Sequence, residues 1–550
     1  MKRCFKIFNT LIILLICASL LSCQKNNSSP LSPFQKDANL NEVGVFPVCK
    51  EKITLTIGIE NGGKLIEDYK SNALTKYLEE KMNANLEFMF FDEGEADKSI
   101  KLMMSAGGKN LPDIVIGDNV DDFDVIAYAQ KGLIIPLNNY YENSSYYLKK
   151  IIDKEKGFLD LITMSDGNIY TIPRYTKILQ NEFGVKLWIY KPFLDRLGLD
   201  MPKTTDEFYE VLEKIKNGDP NENGTRDEIP FIGTGAGNAS GYLFADFIMS
   251  AFVYADAEDY YMYPENGEIK FACTDIRWKE GLKYLNKLCT QNLLSPASFI
   301  TTADQFKSII DKKDVIAGSF ISMGPYFSDE NKSRYSEYKV VEPLIGPGGE
   351  QNPICWATKP RSRFFITKNC KYPEAAFRLG DIMCDEEVAI MNRWGVEGKD
   401  WEKAGENDTG VASDEGYPAL IVPKLEWGVR QNSHWQGKGP GYRDYNIGLG
   451  VAVTESNPMD YEIARSSLAY KKLMPEEYIV KLVYDAGEYD EVARISGEIM
   501  SYVNSATVDF VTGAKDIDAN WDKFVSDLNS LGAERLKEIM QNAYDRTLLK

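Results

Sequence analysis

The feature that most constrains the fold is an alternation of strand-like and helix-like segments that begins after residue 50. Residues 53–59 alternate apolar and polar side chains as a strand does, and a helical stretch follows over 69–82. A second strand (86–91), a helix (98–106) and a short apolar strand (111–117) continue the pattern. Because strands that alternate with helices form parallel sheets covered by helices, the sequence predicts an α/β fold.

The later part of the chain repeats this pattern. The predicted strands are 183–190 and 315–321, and the predicted helices are 205–216, 278–288 and 373–384. From residue 475 the chain is mostly helical and ends in the stretch 521–547. Trp188 and Trp521 fall within periodic apolar stretches, so both are expected in cores.

The first 30 residues combine a basic start with a short apolar run. Basic residues precede the run 11–16, and a polar Ser/Asn/Pro stretch follows Cys23. This order is typical of a secretory signal. A single transmembrane anchor is the alternative, but the run is too short to span a bilayer comfortably. We therefore predict a signal peptide over 1–22 and a flexible tether over 23–50.

The residues before Cys23 resemble the lipobox of bacterial lipoproteins. The resemblance implies that Cys23 becomes the acylated N-terminus, with a lipid such as palmitate, on the extracytoplasmic face of the cell membrane. No later apolar run is long enough to cross a bilayer, so this lipid is the expected attachment to the membrane.

Composition excludes several classes of function. The chain has 550 residues, 44% hydrophobic and 26% charged, which suits a soluble protein of two or three domains. A formal net charge of −19 repels phosphate backbones, so nucleic acid is not an expected partner. His434 is the single histidine, which excludes a zinc hydrolase with two or three His ligands. Neither a G-x-S-x-G motif nor a Walker motif is present.

Six cysteines follow Cys23 and show no CxxC spacing, so neither a zinc site nor a redox motif is predicted. Thiols in an exported protein can pair as disulfides, and the sequence leaves their connectivity open. The six are Cys49, Cys273, Cys289, Cys355, Cys370 and Cys384.

Several motifs together resemble a known family. They are residues 108–114, 131–137, 166–173, 187–191, 197–204, 394–401, 520–523 and 531–532. In this order and spacing they resemble the extracellular solute-binding lipoproteins of carbohydrate ABC transporters. The similarity is greatest to the large oligosaccharide-binding branch that includes the alginate-binding proteins, and it covers nearly the whole mature chain.

This resemblance implies a type II periplasmic-binding-protein fold, in which two α/β lobes enclose a ligand cleft that closes on binding, with a helical C-terminal part. The N-terminal lobe is expected to comprise 51–178 plus 345–390, and the C-terminal lobe 179–344 plus 391–550. The implied protein is a monomer without catalytic activity, which passes an oligosaccharide to transmembrane permease subunits.

One local motif predicts a calcium site. In the loop that starts at Asp219, oxygen-bearing side chains fall at positions one, three, five and nine, with Gly224 at six, as in an EF-hand. Position twelve is Pro230, so Glu228 at position ten must supply the bidentate carboxylate. The predicted ligands of a structural Ca²⁺ are Asp219, Asn221, Asn223, Thr225 (through its carbonyl), Asp227 and Glu228. The alternative is an Asn/Gly-rich turn without metal.

A second segment predicts ligand contacts. Residues 426–435 are polar and loop-like, yet they contain Trp427, His434 and Trp435. Aromatic rings stack on the apolar faces of sugars, so we predict that Trp427 or Trp435 binds the ligand. Trp356, Trp394 and Tyr442 (followed by Arg443) are further candidates.

Two more pairs of residues are expected at the cleft. Asp118 and Asn119 follow a predicted strand at its carboxyl end, where α/β proteins bind ligands. Residues 166–168 predict a hairpin turn whose return strand brings Arg174 and Tyr175 toward the crossover between the lobes.

Other functions remain open at this level. A secreted glycosidase or lyase with two carboxylates is possible, because the chain contains 82 Asp and Glu residues. A peptide-binding protein or a sensor of the same fold is the other alternative. The identity, length and charge of the ligand are not specified by the sequence.

Overall fold

Two β-sheets flanked by helices organise the chain in the computed structural model. The structure describes residues 36–550 except 109, 118–119, 236–240, 326, 426–427, 455–457, 486 and 549–550. The predicted signal peptide and Cys23 therefore lie outside the described residues. Residues 38–550 form one compact unit, which contains both sheets.

Fourteen strands are described. They are β1 (Ile53–Glu60), β2 (Ala84–Phe91), β3 (Ile114–Ile116), β4 (Ile172–Thr176), β5 (Lys186–Tyr190), β6 (Ile229–Ile232), β7 (Met262–Glu265), β8 (Glu268–Phe271), β9 (Ala317–Ser322), β10 (Tyr338–Val341), β11 (Arg361–Ile366), β12 (Trp401–Lys403), β13 (Ile421–Pro423) and β14 (Gly441–Arg443).

The α-helices surround these strands. They are α1 (Ala73–Met82), α2 (Ala96–Ser105), α3 (Asp122–Gln130), α4 (Asn138–Asn143), α5 (Tyr147–Lys154), α6 (Phe158–Ile162), α7 (Leu179–Glu182), α8 (Lys191–Leu197), α9 (Thr205–Gly218), α10 (Leu243–Met249), α11 (Ile276–Thr290), α12 (Ala303–Ile310), α13 (Pro373–Met383), α14 (Glu386–Trp394), α15 (Tyr445–Leu449), α16 (Pro458–Lys471), α17 (Glu488–Val511), α18 (Ile517–Ser530) and α19 (Ala533–Leu548).

The two larger sheets are mixed. The first has six strands in the order β14-β4-β11-β3-β1-β2, and only β11 runs against the others. The second has four strands in the order β10-β5-β9-β6, and only β5 runs against the others. These strand orders place β4 next to the edge strand β14 of the first sheet and β5 next to the edge strand β10 of the second.

None of the described helices combines the length and the apolar character needed to cross a bilayer.

Local sequence signals account for the positions of many elements. Strand β1 alternates buried and more exposed residues at its start and is fully buried in its centre, as expected for an inner strand of a parallel sheet. Helix α9 begins at a capping box, in which Thr204 accepts from the N–H of Glu207 and the Glu207 carboxylate accepts from the N–H of Thr204. The predicted helix therefore has the start that the sequence indicates.

Three local expectations differ from the structure. Residues 166–168 form a turn, but helix α6 and not a strand precedes it, so no hairpin is formed there. The helical stretch 521–547 is divided at Gly532, whose φ of +102° cannot continue a helix. The predicted tether is shorter than 23–50, because Leu40 and Cys49 are buried and the N–H of Cys49 bonds to the carbonyl of Met82.

The lobe boundaries stay a prediction. The segment 51–178 contributes four strands to the six-stranded sheet, and 345–390 contributes β11. Strand β14 also belongs to this sheet, although the sequence assigned 391–550 to the other lobe. The parallel pairing of β14 with β4 brings this later segment back to the first sheet.

Five of the described cysteines have free thiols: Cys273, Cys289, Cys355, Cys370 and Cys384. Of these only Cys370 is partly exposed, and Cys49 is buried as well. Trp188 and Trp521, expected in cores, are 0% and 8% exposed.

Trp435, predicted to bind the ligand, is instead a core residue. It is 0% exposed and lies among the buried side chains beside the first sheet. Its ring centroid is 5.9 Å from that of Tyr69 and 5.7 Å from that of Phe88. The indole Nε1 donates to the Thr75 hydroxyl at 2.9 Å, which satisfies the one polar atom of the ring.

We expect Trp435→Ala to lower the free energy of unfolding by about 3–5 kcal/mol, because it leaves a cavity under a closely packed cluster. Trp435→Phe keeps most of the contacts and should cost less than the alanine variant. Urea unfolding followed by circular dichroism measures both. An alanine variant as stable as the parent would contradict the assignment of Trp435 to the core.

Candidate functional site

The edges of the two sheets are joined by two chain segments. Residues 177–185 lead from the carboxyl end of β4 into β5, and residues 342–360 lead from the carboxyl end of β10 into β11. The backbone N–H of Trp356 donates to the carbonyl of Glu182 at 2.8 Å, so the segments contact each other. Since α/β sheets bind ligands outside the carboxyl ends of their strands, this crossing region (177–185 and 342–360) is the candidate site.

Trp356 lies on the side of the second sheet. Its indole covers Gly184, where a Cβ would be 2.7 Å from the ring, and the side chain stays partly exposed. The indole Nε1 donates to Asp256 Oδ1 at 3.3 Å. A partly open aromatic face beside a carboxylate can stack on a flat apolar surface and accept hydroxyl donors at the same time.

Asp256 and Asp259 supply acidic oxygens next to this ring. Burial raises the pKa of Asp256 well above its usual range, and the charge of Asp259 raises it further. Burial raises the pKa of Asp259 to about 6, although the positive charge of Lys359 opposes this change. Burial therefore favours the neutral form of both carboxyl groups on the second sheet's side of the crossing region.

A cavity of about 310 Å³ adjoins Asp259 and the segment 342–360. This volume is at the lower end of the range of small-molecule sites. Tyrosines and ionisable groups form much of the wall, among them Tyr254, Asp259, Tyr263, Arg277, Glu350 and Tyr478.

On the first sheet's side, Tyr175 and Tyr442 are neighbours across β4 and β14. Their ring centroids are 6.1 Å apart, and both side chains are buried. The Tyr442 hydroxyl donates to Glu155, which also pairs with Lys177. Both tyrosines, predicted as ligand contacts, are thus engaged with protein groups in this conformation.

Arginines gather on the opposite face of the same strands. Arg174 is the register partner of Gly441, so Arg443, two residues further along, shares its face. The guanidinium carbons of Arg393 and Arg443 lie 5.5 and 5.2 Å from the Trp394 ring. We call Arg174, Arg393 and Arg443 the arginine cluster.

Burial determines the charge behaviour of this cluster. Together with the positive charges of Arg393 and Arg174, it lowers the pKa of Arg443 to about 9. Burial also lowers the pKa of Arg393 to about 10, against the opposing charge of Asp460. The Nε of Arg174 donates to the carbonyl of Gly439 at 3.1 Å.

His434 lies below this surface and is 3% exposed. Its Nδ1 accepts from the N–H of Gln436 at 3.1 Å. Burial lowers the pKa of His434 to about 4, and the charge of Arg393 contributes. The imidazole is therefore a neutral, buried group.

Three other predicted contacts, Asp118, Asn119 and Trp427, lie outside the described residues.

The predicted metal loop is held by its own side chains. The Asn221 Oδ1 accepts from the N–H of Asn223 at 3.0 Å, and the Asn223 Oδ1 accepts from the N–H of Thr225 at 2.7 Å. The Asp227 Oδ1 accepts from the Asn223 amide at 3.0 Å, a hydrogen bond that lowers the pKa of Asp227.

Two carboxylates of this loop each leave one oxygen without a donor among the described residues. Asp219 Oδ1 and Glu228 Oε2 are buried and have no hydrogen-bond partner among the described residues. Their other oxygens accept from the N–H groups of Gly224 and Asn221, each at 3.1 Å. Burial raises the pKa of Glu228, as expected for a carboxylate without a positive partner. Among the described residues no three His, Cys, Asp or Glu side chains gather as a metal site, but the oxygens available here also include amides and carbonyls, which suit Ca²⁺.

Sequence reasoning missed three side chains of this site. Asp256 and Asp259 are far along the chain from Trp356, and no local motif marks them. Arg393 precedes Trp394 directly, so the pairing of a cation with a candidate aromatic residue was the available signal.

Comparison with known proteins gives a consistent result. The family model described as bacterial extracellular solute-binding protein matches residues 62–389. The fructooligosaccharide ABC transporter substrate-binding protein FusA of Streptococcus pneumoniae is 27% identical over 98% of this chain and 98% of its own length. The polygalacturonan/rhamnogalacturonan-binding protein YtcQ of Bacillus subtilis is 21% identical over 61% of this chain and 64% of its own.

Solved structures confirm the fold. FusA of S. pneumoniae in complex with kestose superposes with a TM-score of 0.74 at 24% identity, covering 90% of this chain and 99% of that one. A FusA structure described as an EF-hand mutant with fructo-nystose gives 0.74 at 23%, with the same coverage. The alginate-binding protein AlgQ2 without calcium gives 0.65 at 20%, covering 93% and 100%. The expected two-lobe solute-binding fold is therefore confirmed.

The single histidine allows a direct test of its burial. A lowered pKa in the folded state means that the unfolded chain takes up a proton near pH 6.5 while the native imidazole stays neutral until about pH 4. His434 therefore lowers stability as the pH falls through this window. The one imidazole Cε1–H signal in NMR spectra should titrate near pH 4, and a midpoint near 6.5 would contradict the burial. His434→Gln should remove this part of the pH dependence of urea unfolding.

Proposed function

The chain belongs to the bacterial extracellular solute-binding protein family, and on this premise we propose that it captures an oligosaccharide in the crossing region and delivers it to an ABC transporter permease. The observation that carries the proposal is the partly exposed Trp356 ring beside Asp256, at the junction of the two sheets. Sugars need both an apolar surface and hydrogen-bond acceptors, and this pair offers both.

The surroundings of Trp356 support the proposal. The adjoining cavity is lined by tyrosines and charged side chains, which can orient hydroxyl groups. FusA, which is similar over 98% of its length, is described as a fructooligosaccharide ABC transporter substrate-binding protein. YtcQ, which is similar over 64% of its length, is described as a polygalacturonan/rhamnogalacturonan-binding protein. An oligosaccharide is therefore the ligand class that fits best.

We also propose that ligand capture takes place on the outer face of the cell membrane. Cys23, after a predicted signal peptide, is the lipid-modified N-terminus, and residues 24–37 provide a polar connection to the compact unit that begins at Ala38. The protein then works as a monomer on the outer face of the cell membrane, close to the permease. Metabolic labelling with a palmitate analogue, lost in Cys23→Ala, tests this anchoring.

Trp356→Ala should weaken oligosaccharide binding by about tenfold, because it removes the stacking surface while leaving the strands intact. Isothermal titration calorimetry on the full chain in detergent, with the best glycan of a thermal-shift screen, measures the change. Trp356→Phe, which keeps a ring, should retain most of the affinity.

Tyr502→Ala serves as the control, since Tyr502 lies in α17 and bonds to Asp527, away from the crossing region. If Trp356→Ala binds the glycan as tightly as the parent, the proposed site is incorrect. If no glycan of the screen shifts the melting temperature and a peptide does, the ligand class is incorrect.

The loop 219–228 is proposed as a structural Ca²⁺ site. Asp219 and Glu228 would hold the cation with their buried oxygens, and the amide oxygens of Asn221 and Asn223 with the Thr225 carbonyl and Asp227 complete an oxygen set. When bound, the ion supplies positive charge that these buried carboxylates otherwise lack. The FusA structure described as an EF-hand mutant supports the same kind of loop in a similar protein.

Calcium should therefore stabilise the protein. At a hundredfold excess over its dissociation constant, binding to the folded state adds about 2.7 kcal/mol. Glu228→Gln and Asp219→Asn should each abolish the calcium-dependent rise in melting temperature after EDTA treatment. Glu222→Gln is the matched control, because Glu222 lies in the same loop, is exposed and is not a predicted ligand. Equal calcium responses in all variants would exclude the site.

A further inference from the structure

The arginine cluster contains a buried charge without a compensating group. Arg443 is 8% exposed, and its guanidinium donates no hydrogen bond and meets no carboxylate within 4 Å in the described part of the chain. The charges that act on its pKa are those of the two other guanidiniums of the cluster. Buried charges in proteins are normally paired, so an unpaired one is costly and marks a functional position.

Arg443 lies next to the crossing region. It is the last residue of β14, at the carboxyl end of a strand parallel to β4. The carbonyl of Arg443 accepts from the N–H of Lys177, the first residue of a crossing segment. A side chain at this end of the sheet lies where α/β proteins bind their ligands.

Two neighbours of Arg443 lie closer to solvent than Arg443 itself. Arg393 and Trp394, at the end of α14, are partly exposed, whereas Arg443 is covered. The Trp394 ring lies within 6 Å of both guanidiniums, a distance at which an aromatic face attracts a cation. The chain as a whole has a net charge of −19, so three arginines at one place are a local concentration of positive charge.

We propose that the arginine cluster is an anion-recognition subsite of the crossing region, and that the transported glycan therefore carries an acidic group. Arg443 presents a planar fork of donors that matches a carboxylate in two parallel hydrogen bonds. Arg174 and Arg393 add positive charge around that group. The inference rests on the proposed oligosaccharide-binding function and names the class of its ligand.

Matched glycan pairs test the subsite on the full chain in detergent. Trigalacturonate, trimannuronate and sialyllactose are each titrated by calorimetry against their methyl esters, with neutral kestose beside them. At least one acid should bind about tenfold more tightly than its ester, since each charge-assisted hydrogen bond to a carboxylate strengthens binding. This preference should decrease with added salt.

Variants connect the preference to Arg443. Arg443→Gln should reduce the acid-to-ester ratio to less than twofold, and Arg443→Lys should keep part of it. Without glycan, Arg443→Gln should melt no lower than the parent, because it removes an unpaired buried charge. Arg494→Gln is the control, since Arg494 is an exposed arginine of α17.

The outcomes separate the two proposals. If kestose or the esters bind as well as the acids, the anion subsite is excluded and the oligosaccharide function stands. If Arg443→Gln unfolds, Arg443 is a structural residue and the subsite is likewise excluded. If no glycan binds, the proposed function itself fails.

Discussion

Glu182 connects the chain segments that pass between the two sheets. Its backbone carbonyl accepts from the N–H of Trp356, and its carboxylate accepts from the hydroxyls of Thr358 and Tyr445, the latter at 2.6 Å. Tyr445 begins α15, one intervening residue beyond the end of β14, so three separate parts of the sequence meet at one buried side chain. The relative position of the two sheet edges, and therefore the shape of the crossing region, depends on these hydrogen bonds.

The correct predictions from the sequence concern features that residues close together in the chain determine. The alternation in β1 and the capping box of α9 are local, and the structure contains both elements close to their predicted bounds. The loop at Asp219 is contiguous too, so its candidate ligands could be named from spacing alone, and they remain a prediction. By contrast, whether a tryptophan is a core or a cleft residue depends on distant segments. Trp435 is buried by Tyr69 and Phe88, some 350 residues earlier in the sequence, and no pattern around residue 435 indicates this.

The crossing region has an uneven distribution of charge. Asp256 and Asp259 lie on the side of the second sheet, and the arginine cluster lies on the first. Burial shifts the pKa of each group in the direction that favours its neutral form. Keeping these groups charged in the unliganded protein therefore costs free energy. A ligand that offers hydroxyl donors to the acidic side and an anion to the basic side would offset both penalties, because the low polarity that makes an unpaired charge costly also strengthens its pairing.

The proposed calcium loop lies at the amino ends of β6 and β9, at the end of the second sheet opposite Trp356. Residues 219–228 join the end of α9 to the start of β6, and the Asn221 amide donates to the carbonyl of Val315, two residues before β9. Trp356 instead covers Gly184 near Met323, which follows the carboxyl end of β9. A cation in the loop therefore has no direct contact with a ligand at Trp356, and its effect reaches that ring only through the positions of β6 and β9. The proposed ion would therefore act on stability, whereas the proposed glycan contacts lie at the other end of the same strands.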